Sequence, residues 1–245
     1  MTGDPLYVGV DWCSGSWLAV AFDGAGFDHA AVFAEIGELW ARYEETAERV
    51  LIDVPIGLVE SGDAGRECDA RAREVLGSRS ASIFTPPVRE ATRKRRYRTA
   101  KRVNERKTGQ GISKQAFAIS DGIAAVDRLL QTVPETRHVF AESHPEVCFR
   151  ALAGDPLSYS KRTAGGYAER MATLASFDPD AAPTVQRVAE ATGGHDVTVD
   201  DVLDAVVLAF TARPGPGDLR TLPRDPEVDA AGLPMQIVYR ADAAL

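Results

Sequence analysis

Residues 6–11 read LYVGVD, an apolar run that predicts a buried β-strand over residues 6–10, followed directly by Asp11. Two further strands are predicted over 17–22 and 30–33, each separated from the one before by a glycine-containing turn. Apolar residues at helical spacing then predict a helix over 36–47, and another apolar run predicts a strand over 50–54. This part of the chain therefore predicts the order β-β-β-α-β, beginning with an antiparallel meander.

Three acidic residues each follow an apolar run: Asp11 follows LYVGV, Asp53 follows RVLI and Glu142 follows HVFA. A buried, unpaired charge is costly, so such a residue reaches water or holds a partner. In α/β sheets, ligands bind at the carboxyl ends of the strands. We therefore expect these acids to converge on one divalent-cation site, together with an acidic helix that contains Asp200, Asp201 and Asp204.

The remainder of the chain is predicted to be mostly helical. Helices are predicted over residues 63–76, 113–130, 145–152, 163–174, 183–191 and 199–212, a fifth strand over 137–141 and a last strand over 235–239. Residues 78–88 are typical of a loop, and 89–107 form a strongly basic stretch that is either helical or mobile. The chain, 1–245, therefore predicts one α/β domain with three antiparallel strands and then two parallel ones, flanked by helices, and a basic helical insertion at about 78–112.

Length and composition favour a single soluble domain, with 245 residues of which 44% are hydrophobic. No apolar run approaches the roughly 18 residues of a transmembrane helix, and no basic segment typical of a signal peptide precedes the first strand. The three cysteines have neither disulfide-framework nor zinc-site spacing. We therefore expect a cytoplasmic protein that does not contact a membrane.

The net charge of −8 is distributed unevenly. Residues 66–114 carry 15 Lys and Arg against 5 Asp and Glu, a net charge of +10, and the rest of the chain carries −18. A basic segment of this kind attracts polyanions locally, because arginine forks bind phosphates and an aromatic ring can stack on a base. The predicted nucleic-acid-binding residues are Arg93, Arg95, Arg96, Tyr97, Lys101 and Arg102. The alternative is that this basic segment is a solvated, mobile stretch of chain that binds no nucleic acid.

Five segments, taken in order, resemble the DUF429 family. They are VGVDWCSGSW at 8–17, LIDVPIGL at 51–58, RECDARAREVLGSRSASIFTPP at 66–87, FAESHPEVCF at 140–149 and DDVLDAVVLAFTA at 200–212. The resemblance extends from about residue 7 to residue 212. Because that family is predicted to be a nuclease of the ribonuclease H-like superfamily, the resemblance implies a ribonuclease H-like fold and metal-dependent nuclease activity.

The resemblance also implies roles for the acids. Asp11 matches the first-strand acid of the superfamily, Asp53 the acid that ends the fourth strand, and Asp201 with Asp204 the acidic pair of the last helix, while Glu142 adds a ligand from the fifth strand. Such carboxylates hold Mg²⁺ or Mn²⁺, hard cations that prefer oxygen ligands. A pair of these ions activates water and stabilises the leaving oxygen of a phosphodiester.

Two of these assignments have a structural alternative. Asp201 and Asp204 share one helix face, but Asp201 and the predicted N-cap Asp200 can instead serve only to complement the helix N-terminus. His144 is a candidate catalytic residue, as a general base or as a group that orients a metal-bound water. It can equally be a hydrogen-bonded structural histidine before Pro145.

The interpretation is a divalent-metal-dependent nuclease whose partner is DNA or RNA, with the oligomeric state left open. One alternative is a nucleotide-phosphate binding enzyme of the actin/sugar-kinase type, in which Asp11 and the hairpin Ser14-Gly15-Ser16 would face the phosphates. The absence of a second glycine-rich phosphate loop argues against it. The other alternative is a non-catalytic nucleic-acid-binding module that kept the fold.

Overall fold

The structure is a computed structural model that describes residues 4–62 and 65–245. Its main sheet has five strands: β1 Leu6–Cys13, β2 Ser16–Phe22, β3 Phe27–Phe33, β4 Ala47–Ile52 and β5 Phe140–Glu142. Their spatial order is β3-β2-β1-β4-β5. The first three strands pair antiparallel, whereas β4 pairs parallel with both β1 and β5. The predicted mixed sheet, three antiparallel strands followed by two parallel ones, is confirmed.

Helices account for most of the remaining chain. They are α1 Ile36–Tyr43, α2 Glu67–Leu76, α3 Arg89–Thr92, α4 Tyr97–Thr108, α5 Lys114–Ala118, α6 Ser120–Thr132, α7 Pro145–Ala153, α8 Ala164–Phe177, α9 Ala181–Ala191 and α10 Val199–Ala212. Short 3₁₀ helices lie at Gly77–Ser82 and Pro134–His138. The basic stretch is thus helical, as α3 and α4, within the predicted insertion.

Hydrophobic cores lie on both faces of the sheet, because alternate strand residues point to opposite sides. On one side, Val8 and Val10 pack with residues of α1 and α6. On the other, Leu18 and Val20 pack with α7, α9 and α10. A sheet covered on both faces leaves its strand ends as the accessible place for polar side chains.

The contact between β1 and α10 depends on Gly9. A Cβ atom at this position would lie 2.2 Å from both the Ala205 carbonyl oxygen and the Ala209 nitrogen. Only a residue without a side chain therefore lets the helix lie directly on the strand. This close packing brings the first turns of α10 next to the end of β1.

Several predicted boundaries were wrong near the sheet. β1 continues past Asp11 to Cys13 because its antiparallel pairing with β2 extends to Cys13 and Ser16, while its parallel pairing with β4 stops at Val10. The helix predicted over 36–47 ends at Tyr43, since Ala47 already begins β4. The strand predicted over 137–141 is displaced to Phe140–Glu142, because residues 134–138 form a 3₁₀ turn.

Other differences lie further along the chain. The helix predicted over 113–130 is two helices, α5 and α6, that meet at Ile119. The start of the helix predicted over 63–76 falls partly outside the described residues, which include α2 from Glu67. The last predicted strand pairs as β7, Ile237–Ala241, with an unpredicted antiparallel strand, β6, Asp218–Leu222.

All three cysteines, Cys13, Cys68 and Cys148, are free and buried. Among the described residues, no helix combines the length and the apolar character needed to cross a bilayer.

Candidate metal centre

Three carboxylates that are far apart in the chain meet at one end of the sheet. Asp11, Asp53 and Asp204 each place a carboxylate oxygen within 4.8 Å of the others. Asp11 is 6% exposed and Asp204 is 3% exposed, so both are almost completely withdrawn from water. The predicted convergence of Asp11 and Asp53 with at least one acid of the last helix is therefore present.

The backbone around Asp11 and Asp53 explains why they lie side by side. The Asp53 nitrogen donates a hydrogen bond to the Val10 carbonyl at 2.9 Å, which continues the β1–β4 ladder by one bond. Beyond this point the two strands separate, and the acids stand where the parallel pairing ends. Asp204 joins them from α10, which the contact at Gly9 holds against β1.

The described residues give two of these carboxylates few hydrogen-bond donors. The Cys13 thiol, 3.6 Å from Asp11 Oδ2, is the one side-chain donor to Asp11 in the described chain, and thiols are weak donors. No described group donates to the side chain of Asp53. Asp53 is partly buried, whereas Asp11 is buried. Because buried carboxylates normally have hydrogen-bond partners, Asp11 in particular points to a ligand of positive charge.

Electrostatics supports the same conclusion. Burial raises the pKa of Asp11 well above its usual value, and the charges of Asp53 and Asp204 raise it further. Burial also raises the pKa of Asp53. For Asp204, burial raises the pKa to about 6, although the Lys161 ammonium opposes the shift. A cation among these groups would relieve both the desolvation and the mutual repulsion.

The donor set fits a divalent ion. Carboxylate oxygens are the ligands that hard cations prefer. Asp11, Asp53 and Asp204 can hold a metal ion by their spacing, and a second group, Asp11 with Cys13 and Asp201, also has atoms within 4.8 Å of one another.

Asp201 has a second role at the start of α10. Its Oδ2 accepts a hydrogen bond from the Thr198 nitrogen at 2.7 Å, and the Thr198 hydroxyl accepts one from the Asp201 nitrogen, which together form a capping box. The N-cap is therefore Thr198, and the prediction of Asp200 at this position was wrong. The assignment of Asp201 as a metal ligand stays a prediction.

Glu142 lies on the same cavity but in a separate ionic network. Both of its oxygens accept hydrogen bonds from the buried Arg66 guanidinium, at 2.7 and 2.8 Å. The Ile56 nitrogen donates a third, at 2.6 Å, and Arg66 also binds Asp69 through two nitrogens. These bonds already occupy both oxygens of the carboxylate. The assignment of Glu142 as a metal ligand and as a catalytic residue therefore stays a prediction.

His144 forms the N-cap of α7. Its Nδ1 accepts a hydrogen bond from the Glu146 nitrogen at 3.2 Å. In the neutral ring the proton then lies on Nε2, so the histidine offers a donor to its other side. With a proton on Nε2, His144 is better suited to orienting a water or a phosphate oxygen than to abstracting a proton. Its predicted catalytic role stays a prediction.

A cavity of about 540 Å³ opens beside the acids. Its polar lining includes Asp11, Asp53, Asp201, Glu142 and His144, and its apolar wall includes Trp12, Phe84 and Ile119. Four basic residues also line it: Arg66, Arg79, Lys161 and Arg162. A pocket that is lined by both carboxylates and basic side chains can place a phosphate next to a metal ion.

Sequence reasoning missed these four basic residues. Lys161 lies in the loop between α7 and α8, and a single lysine in a loop carries no pattern that marks it as part of a site. Arg66 offered a clearer signal, because its i,i+3 spacing to Asp69 is that of an ion pair at a helix start. Arg79 lies in the segment 78–88, which is typical of a loop and has no periodic pattern.

The predicted nucleic-acid-binding residues divide into two groups. Arg93 binds Asp127 at 3.2 Å, and Lys101 lies 3.5 Å from Glu105. The Tyr97 hydroxyl donates to the Ile112 carbonyl at 2.9 Å, and its ring packs edge-on against Phe117. These three residues already have intramolecular partners.

Arg95, Arg96 and Arg102 are exposed and form no salt bridge with any described residue. The six predicted residues do not line the cavity. Their contact with nucleic acid stays a prediction, and the part of the insertion that does reach the cavity is the segment that includes Arg79, Ser82 and Phe84.

The model of one protein family, described as "Protein of unknown function (DUF429)", matches residues 9–228. No curated protein and no solved structure matches the chain. The matched region includes all three acids of the centre, Lys161 and the whole basic insertion.

Proposed function

The chain belongs to the DUF429 family, and from that premise we propose that it is a divalent-metal-dependent nuclease, a phosphodiester hydrolase with a ribonuclease H-like fold that acts on DNA or RNA. The observation that carries the proposal is the meeting of Asp11, Asp53 and Asp204 within 4.8 Å of one another. The mixed sheet, with three antiparallel and two parallel strands, supports the ribonuclease H-like assignment.

The proposed cofactor is Mg²⁺ or Mn²⁺, held by Asp11, Asp53 and Asp204. When bound, such an ion supplies the positive charge that lowers the pKa of water and stabilises a leaving oxygen. The residues of the chain position the substrate. Arg79 and Arg162 offer hydrogen bonds to phosphate oxygens, and His144 orients a water or a phosphate. The exposed Arg95, Arg96 and Arg102 extend the contact along the polyanion.

Two further observations fit the proposed setting. The cavity combines the acids with basic residues, which is the combination that a phosphodiester next to a metal ion requires. The three free, buried cysteines fit the reducing conditions of the cytoplasm, which we propose as the location.

The proposal is tested by replacing Asp11 with asparagine, which keeps the shape of the side chain but removes its charge. We expect Asp11→Asn to abolish Mg²⁺- or Mn²⁺-dependent cleavage of labelled single strands, duplexes and junctions of DNA and RNA. In the presence of EDTA the same variant should melt at a higher temperature than the wild type, because one member of a repelling cluster is neutralised. Each kcal/mol of relieved repulsion corresponds to roughly 2–4 °C for a chain of this size.

The matched control is Asp196→Asn, the same change at an exposed aspartate that has no described hydrogen-bond partner. It should leave both cleavage and melting temperature as in the wild type. Cleavage by pure Asp11→Asn at the wild-type rate would contradict the proposal. Binding of nucleic acid without metal-dependent cleavage by the wild type would instead support the non-catalytic module.

A further inference from the structure

Lys161 places a positive charge inside the acidic cluster. Its Nζ lies 2.6 Å from Asp204 Oδ2 and 3.6 Å from Asp200 Oδ2. The charges of Asp53 and Asp11 also attract this ammonium group. Lysine is ordinarily a cation at neutral pH, so at these distances the side chain supplies a positive charge that belongs to the chain itself.

The backbone that precedes Lys161 is held in place by hydrogen bonds. The Glu169 carboxylate accepts hydrogen bonds from the Ser158 and Tyr159 nitrogens at 2.8 and 3.0 Å. Arg79 donates to the Tyr159 carbonyl at 2.6 Å, which ties the loop to the insertion.

Gly166 fixes the next residue of this loop. A Cβ atom at Gly166 would lie 1.9 Å from the Ser160 carbonyl oxygen, so the loop sits on α8 at a distance that only glycine permits. Packing and hydrogen bonds thus position Lys161, and its contact with Asp204 is determined by the fold.

The lysine divides the three acids into two kinds. Asp204 already has an ammonium group at hydrogen-bonding distance. Asp11 is more than nine-tenths buried, faces the cluster and has only the weak thiol donor of Cys13. Asp53 has no described donor to its side chain. The carboxylates that lack a cationic partner at contact distance are therefore Asp11 and Asp53.

We propose that Lys161 takes the place of a second metal ion, so that the centre binds one divalent cation, held mainly by Asp11 and Asp53, while the ammonium group supplies the other positive charge next to Asp204. This inference rests on the proposed function, because it assumes a divalent ion in the centre. It specifies a one-metal site in which a lysine, rather than a second ion, neutralises the helix acid.

The number of bound ions tests the proposal with metal alone. Mn²⁺ is titrated into the full-length protein by calorimetry and followed by electron paramagnetic resonance. The wild type should bind one Mn²⁺ per chain and give the spectrum of an isolated ion. Lys161→Met removes the charge but keeps the length and apolar stem, and should bind two Mn²⁺ with the spin-coupled spectrum of a close pair.

Two controls complete the design. Lys161→Arg keeps the charge and should still bind one Mn²⁺. Arg162→Met removes a neighbouring cavity charge that forms no described salt bridge with the acids, and it should also bind one. Circular dichroism confirms that each variant is folded, and the wild-type count tests the proposal even where a variant is not.

The outcomes separate this inference from the proposed function. Two ions in the wild type would overturn the one-metal site and leave a metal-dependent nuclease intact. A single ion in folded Lys161→Met would also overturn it, because the lysine would then not determine the count. No bound Mn²⁺ in the wild type would overturn the proposed function, and this inference with it.

Discussion

Arg66 shows how much one buried side chain contributes to the shape of the centre. The residue is 3% exposed, and its guanidinium binds Glu142 and Asp69 through all of its nitrogens. It also donates to the Ile56 and Gly57 carbonyls, just after Asp53 in the chain. The residue therefore fixes the turn that follows Asp53, and we regard it as a positioning residue.

We predict that Arg66→Ala destabilises the protein by about 3–5 kcal/mol, because two buried carboxylates lose their only described cationic partner. The free energy of unfolding in urea measures the change. The control is Arg71→Ala on the same helix, whose salt bridges to Glu67 and Glu74 are solvent-exposed, and it should have little effect. Equal losses in the free energy of unfolding would show that the buried ion pairs of Arg66 stabilise the protein no more than the exposed ion pairs of Arg71.

At the scale of residues, the acids could be predicted and their partners could not. Asp11 and Asp53 follow apolar runs, and this local pattern predicts their position at strand ends without knowledge of the fold. In the structure β1 continues to Cys13, and Asp11 lies where the parallel pairing with β4 stops. Lys161 and Arg66 act across long distances in the chain, 43 and 76 residues from Asp204 and Glu142. A loop residue whose partner is that remote has no periodicity to reveal it.

Helix α10 is the element that completes the centre. It brings Asp204 to the end of β1, and it can do so only because Gly9 leaves room for its backbone. Because this contact leaves no room for even a methyl group, anything that displaces α10 from β1 also displaces Asp204.

Gly9→Ala should therefore reduce both stability and metal binding. We expect a loss of about 3 kcal/mol or more, because the new methyl group would overlap the backbone of α10 at Ala205 and Ala209. Mn²⁺ affinity should fall as Asp204 moves away from Asp11. Denaturant unfolding and calorimetry measure the two effects.

Gly37→Ala is the matched control. Gly37 lies in α1 with open space around it, so the added methyl group meets nothing and should leave stability unchanged or slightly higher. If Gly9→Ala unfolds and binds Mn²⁺ like Gly37→Ala, the close packing does not position the centre.

At the scale of elements, long periodic segments were predicted more accurately than breaks between them. The spacing of apolar residues predicted α10 with the bounds that the structure has. The break at Ile119 has no glycine or proline to signal it, and tertiary packing decides it. The strand Asp218–Leu222 follows a Pro/Gly-rich turn and depends on its pairing with β7, a contact that a local pattern does not contain.

The whole molecule should show the acidic centre in its dependence on pH. Burial raises the pKa of Asp11 and brings the pKa of Asp204 to about 6 and that of nearby Glu142 to about 7, so the metal-free folded state binds more protons than the unfolded state. Stability should therefore increase as the pH falls from about 7 to about 5, by roughly 1–3 kcal/mol. The free energy of unfolding in EDTA at the two pH values measures this difference.

Asp204→Asn serves as the reference, because it removes one of the carboxyl groups that cause the predicted pH dependence of stability. Its stability should vary less over the same pH interval than that of the wild type. Saturating Mg²⁺ should also weaken the increase, since the ion competes with protons for the same oxygens. Parallel curves for the wild type and Asp204→Asn would show that Asp204 does not titrate in this range.

The segregation of charge predicts a second property of the whole molecule. Replacing the unpaired Arg95, Arg96 and Arg102 by alanine should weaken binding to DNA or RNA, because each lost phosphate contact releases about one counterion fewer. A plot of log K against log salt should become less steep by about 2–3. Fluorescence anisotropy at several salt concentrations provides the slopes.

A triple change of equal charge at Arg42, Arg128 and Arg224 is the control, since these arginines are exposed and lie outside the basic insertion. It should leave the salt slope close to that of the wild type. If both triple variants change the salt slope equally, the nucleic acid responds only to the net charge of the protein. The basic insertion is then a solvated segment that makes no specific contact with nucleic acid.

The distribution of the three acids along the chain has a consequence for the timing of protein synthesis. Asp11 and Asp53 are translated before Asp204, which lies on α10 and follows β1 to β5 and nine other helices of the described chain. Until α10 docks on Gly9, a nascent chain has two of the three carboxylates and no complete centre. The proposed nuclease activity therefore requires that α10 has been synthesised and has docked against β1.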